Sequence, residues 1–158
     1  MKAEEHFFSL GKLWSNYHSL EFLLRAYILE KSGVGIGLPH GTDIYSFTAG
    51  KELPESPLTN YDSLANLIKK YNSYIEISDK TLALDISLID IRDALAHGRV
   101  STDEEHKPLR IIKFDKPKDG KVRIVFNQEM NKQWFDSETK HVFNAVGKVY
   151  TAIKKLRA

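Results

Sequence analysis

The chain has 158 residues, one domain's length, enough to bury about two-thirds of its unfolded surface. At 42% hydrophobic and 28% charged, with a formal charge of +2, the composition excludes long-range disorder, and its net charge identifies no nucleic-acid partner. The absence of cysteine excludes disulfide frameworks, thiolate zinc sites and cysteine nucleophiles, and fits a reducing cytoplasm.

The first thirty residues read as one long helix. Leu10, Leu13, Tyr17, Leu20, Leu24 and Ile28 recur at spacings of three and four, and Trp14, Phe22 and Leu23 widen that face. Glu21 lies inside this face and reads as a partner of Arg25, and Gly33 supplies a stop. Acids stand at the N-terminus where a secretory signal carries a basic segment, and no apolar run approaches the roughly 20 residues that cross a bilayer. A soluble cytoplasmic protein without membrane contact is the expectation.

Residues 33–61 hold five glycines and three prolines and read as a long loop, with a short turn around Ile44–Phe47. The run Gly33-Val34-Gly35-Ile36-Gly37 follows a helix and lacks a Gly-Lys-Ser/Thr ending, so it does not read as a phosphate loop. A short helix follows from an N-cap at Asp62 through Leu64, Leu67, Ile68 and Tyr71. A third helix is predicted from Asp79 to Ala96, stopped by Gly98, and then a charged turn at Asp103-Glu104-Glu105. Residues 109–115 and 121–127 are β-rich around Lys118-Asp119-Gly120, which predicts a hairpin. The last helix spans roughly 131–156, with Phe135, Val142, Val146, Val149, Ile153 and Leu156 as its stripe.

The segment Leu82–Gly98 carries the most chemistry. Leu84, Leu88, Ile91 and Leu95 fall in one arc, and Leu82, Ile86 and Ile89 form a second strip roughly opposite, so the helix is central or one of its faces meets another chain. Arg92 and His97 are about 140° apart and flank that strip, with the small Ala96 between them. Asp93 and His97 are four apart and within hydrogen-bond reach on one face. The last-turn carbonyls and a neighbouring carboxylate both favour a protonated ring, which suits a proton donor or acceptor.

The run Arg92-Asp93-Ala94-Leu95-Ala96-His97, followed by Gly98-Arg99, resembles the R-x4-6-H motif of HEPN domains. The resemblance covers this motif and, more loosely, the order of helices. It implies an all-α fold: a four- to five-helix HEPN-like bundle over residues 1–158, with a small inserted β-hairpin before the last helix. Asp93 stands where asparagine is commonest in the family. The resemblance further implies a metal-independent endoribonuclease without cofactors, with Arg92, Asp93 and His97 catalytic and two copies completing one site at a homodimer interface. It points to a toxin or phage-defence effector, with a nucleotidyltransferase-type antitoxin as a candidate partner. RNA supplies its own nucleophile in the 2′-hydroxyl, so such a site needs a proton-transfer group and a cation for the phosphate.

Other readings stand beside this one. Arg92, Asp93 and His97 also fit an ordinary surface helix end, with an Asp–His pair and the arginine bound to Asp85 or Asp90. The family also contains non-catalytic modules that dimerise or bind RNA or a partner. Arg99, Lys113, Lys116, Lys118 and Lys121 suit RNA phosphates, but a solvated hairpin protecting its edges with lysine is the simpler explanation of the hairpin cations. His6, His18, His40, His106 and His141 have no metal-ligand spacing, so no metal site is expected. Trp14, Trp134 and the tyrosines read as core.

Overall fold

The computed structural model describes residues 1–33, 47–102 and 108–158. The turn expected at Ile44–Phe47, most of the glycine run from Gly33 to Gly37, the acidic turn at Asp103-Glu104-Glu105, and His40 and His106 fall wholly or largely outside them. Helix α1 spans Ala3–Lys31, α2 Leu64–Tyr74, α3 Ser87–His97 and α4 Lys132–Leu156, with a 3-10 helix at Ile77–Leu82. Strands β1 (Arg99–Ser101), β2 (Arg110–Phe114) and β3 (Ile124–Glu129) form an antiparallel sheet in that order.

That sheet overturns the all-α expectation. The fold is helix-dominated, but its β part is a three-stranded sheet rather than a lone hairpin. The third strand arises where α3 stops: Gly98 turns extended at φ −73, ψ 165, and Arg99, Val100 and Ser101 pair with Ile112, Ile111 and Arg110. Three residues carry too little periodicity to be read as a strand. The predicted hairpin is present. Asp119 and Gly120 both have positive φ, 52° and 71°, and the backbones of Lys118 and Lys121 exchange hydrogen bonds of 2.8 and 3.0 Å across them. This is the tight two-residue turn that an Asp-Gly pair favours.

The chain forms two compact units, Met1–His18 with Asp85–Asn144 and Ser19–Leu84 with Ala145–Ala158. In the first, Leu13, Tyr17, Leu88, Ile91, Phe135 and Val142 are core residues, joined by Ile111 from β2. His6 is buried here between the ring edges of Phe7 and Phe135, at centroid distances of 5.8 and 5.3 Å. Removal from water pushes its pKa below the ordinary histidine value. Tyr17 is also buried, and desolvation, reinforced by the charge of Glu138, raises its phenol pKa.

In the second unit, Leu20, Leu24, Tyr27, Leu67, Ile68, Tyr71 and Val149 are core residues. Ser63, not Asp62, caps α2 by accepting from the Asn66 amide at 3.3 Å. Asp62 instead binds Lys70 at 2.6 Å, and that hydrogen bond holds its carboxyl below the usual range. Arg25 fastens the preceding loop to α1, donating to Pro57 O at 3.1 Å, Asn60 O at 3.0 Å, Asn60 Oδ1 at 2.7 Å and Asp62 O at 2.8 Å.

The helix expected from Asp79 to Ala96 is interrupted. Its first part is the 3-10 helix, Ala83 is extended at φ −59, ψ 147, and α3 begins afresh at Ser87. Neighbouring side chains take the backbone groups a continuous helix would use. The Asn72 amide donates to Leu84 O at 3.0 Å and accepts from Leu84 N at 2.9 Å, as a strand neighbour does. Lys148 donates to Ala83 O at 2.9 Å, and Asp85 Oδ1 accepts from Ser87 N at 2.9 Å to close the new helix start.

Candidate active site at the end of helix α3

Helix α3 buries Leu88, Ile91 and Ala94, which leaves Leu95 half-buried and carries Ala96 and His97 to the surface. The second strip expected from Leu82, Ile86 and Ile89 is not continuous. Leu82 belongs to the separate 3-10 helix, Ile86 precedes α3 and is exposed, and Ile89 is half-buried.

Asp93 sits between cations from two elements. Arg92 Nη1 lies 3.7 Å from Oδ1, and Lys113 Nζ, from β2, lies 3.5 Å from Oδ2. Register explains Lys113: it shares a strand face with the buried Ile111, so both point toward α3. The expected Asp93–His97 hydrogen bond is not formed, because both carboxylate oxygens are turned to cations. Among the described residues the exposed His97 ring makes no hydrogen bond or ion pair, so it is open to an incoming group.

Gly98 makes this junction possible. Its amide donates to Ala94 O at 2.7 Å, and a Cβ there would lie 2.4 Å from that same oxygen and 2.8 Å from Ile111 Cγ1. The glycine is required by space, since its backbone angles suit any residue. It lets α3 end against β2 with His97 on the last turn.

The structure gathers only part of the expected cationic surface. Arg99 pairs with Ile112 and so occupies the sheet face opposite Lys113, with its guanidinium 5.2 Å from the Phe114 ring centroid. Lys116, Lys118 and Lys121 lie farther along the ribbon, toward its tip. Lys118 is five residues past Lys113, roughly 17 Å at strand rise. Arg92, Asp93 and Lys113 therefore form one cluster with His97 beside it, while the other four cations lie apart. The Lys113–Asp93 pairing depends on how the ribbon lies over α3, and its only local signal was the alternation with Ile111.

Compared with family models, curated proteins and solved structures, the chain matches none. Among the described residues, no three His, Asp or Glu side chains are grouped to hold a metal ion, and no helix is long and apolar enough to cross a membrane. What the cluster can do follows from its side chains. An open imidazole can take and return a proton, and a guanidinium with an ammonium beside it can receive phosphate oxygens.

Proposed function

We propose that the chain is a cytoplasmic, metal-independent endoribonuclease whose site is completed by a second copy, a relative of HEPN domains acting as a toxin or phage-defence effector. The observation that carries this reading is the solvent-open His97 on the last turn of α3, beside the Arg92–Asp93–Lys113 cluster. In the reaction, neutral His97 removes the proton of a ribose 2′-hydroxyl. The resulting oxygen attacks the adjacent phosphorus, and Arg92 and Lys113 stabilise the charge that grows on the phosphoryl oxygens. The 5′-oxygen leaves and takes a proton from a second imidazolium, that of the other copy. The products are a 2′,3′-cyclic phosphate and a 5′-hydroxyl, which balance the reactants without a water. Asp93 acts as a positioning residue that aims the two cations.

A second reading is favoured by the same bracket. Both cations already lie against a carboxylate, which suits reversible binding of RNA or of a protein partner, such as a nucleotidyltransferase-type antitoxin, without cleavage. The two readings separate on one experiment: purified protein incubated with single-stranded RNA in EDTA. Under the nuclease reading, wild type cuts, Arg92→Ala and His97→Ala each lose at least roughly a hundredfold in rate, and both variants keep the wild-type melting curve. Cleavage at wild-type rate in either variant removes the assignment. RNA binding without cleavage by wild type leaves the binding module.

A further inference from the structure

Between the first halves of α1 and α4 lies a groove of about 840 Å³ whose apolar lining is Met1, Phe8, Phe135 and Phe143. Phe135 is buried at its floor, but Phe8 is 75% and Phe143 64% exposed. Together these two rings leave on the order of 300 Å² of apolar surface in water, the size of the largest patch on an ordinary monomer. Ser9 and Thr139 also line the groove and are small, which leaves room for a side chain from outside.

The rim identifies the occupant. Lys132 and Asp136 pair with each other along α4. Among the described residues, the remaining charged side chains, those of Glu4, Glu5, Lys12 and Lys140, make no ion pair, two acids against two bases. A uniformly acidic or basic partner would match only half of them. Their order along α1 decides the matter: Glu5 and Lys12 lie on either side of Phe8 and Ser9. An antiparallel helix crossing at Phe8–Ser9 with the same order places acid opposite base at both ends. The α1 helix of a second copy related by a two-fold axis has that order, and closed symmetry would satisfy both patches at once.

We infer that this face is an interface between two copies of the chain, with each Phe8 set into the other's groove and each Glu5 opposite the other's Lys12. The face is read from α1 and α4 alone and stands without the ribonuclease proposal, although that proposal needs a second copy.

Sedimentation equilibrium of the full chain at tens of micromolar tests it. Wild type is expected to be a dimer. Phe8→Glu and Phe143→Glu, both at exposed positions, are expected to raise the dissociation constant by about a hundredfold. Glu5→Lys and Lys12→Glu are each expected to raise it roughly tenfold, and the double variant Glu5→Lys, Lys12→Glu to bring it back, because acid again faces base. A wild-type monomer overturns the inference, as does a double variant no tighter than the single ones. If Phe8→Glu is monomeric and still cuts RNA at the wild-type rate, the docking face stands and the two-copy active site fails.

Discussion

Replacing Gly98 by alanine tests how the end of α3 is seated. Two effects oppose each other. Alanine restricts the unfolded chain, and at φ −73 it meets no dihedral penalty, which alone would stabilise the fold by about 0.4–1 kcal/mol. Against this, the new methyl would stand 2.4 Å from Ala94 O and 2.8 Å from Ile111 Cγ1. Overpacking of this kind costs about 1–3 kcal/mol. The upper end applies because the closer neighbour is a backbone oxygen, already fixed by the 2.7 Å bond from Gly98 N, and cannot rotate away. Steric cost wins by about 2 kcal/mol, a fall of roughly 4–8 °C in melting temperature for a chain of this size. Trimming Ile111 to valine should not rescue the variant, since the backbone contact remains. Gly147→Ala is the control: nothing lies within 4 Å of its would-be Cβ in α4, so it should stabilise by up to about 1 kcal/mol. Calorimetry or urea titration reads all three. A Gly98→Ala protein as stable as wild type would refute the claim that space, rather than conformation, selects glycine there.

Asn72→Ala leaves the amide and carbonyl of Leu84 without their partner and should cost about 2 kcal/mol, read as a lower urea midpoint; an unchanged midpoint would mean water replaces the bonds at no cost. The buried His6 gives a pH dependence of defined sign. An unfolded histidine takes up its proton near pH 6.5, whereas desolvated His6 does so only at lower pH. In the window between, the unfolded chain holds the extra proton. Stability is therefore full above about pH 6.5 and falls as the solution is acidified toward the folded-state value. His6→Phe should flatten that slope; an identical slope in the variant would assign it to other groups.

Much of this architecture was legible because it is local. The spacing of Leu13, Tyr17, Leu20 and Leu24 marks α1, Asp119-Gly120 marks the turn, and Phe135, Val142 and Val149 mark α4. The failures at the break before α3 and at the third strand share one cause: a distant side chain or strand decided the local backbone. Leu82–Leu95 has unbroken helical character, yet Asn72 and Lys148 draw Ala83 and Leu84 into an extended step. Arg99–Ser101 becomes a strand only because β2 lies alongside. At the candidate site the sequence placed Arg92 and His97 five residues apart on one helix end, and the structure keeps that. It could not show that Lys113 would take the Asp93 oxygen expected to meet His97, since that depends on how the hairpin crosses the helix.

The most direct test of the proposed chemistry is the fate of an RNA carrying a single 2′-deoxy ribose at a mapped cleavage position, with EDTA present throughout. The account predicts that wild type cuts the all-ribose strand, leaves a 2′,3′-cyclic phosphate, and spares the bond next to the deoxy sugar. Cleavage at that deoxy position, or cleavage that appears only when a divalent cation is added, would contradict it.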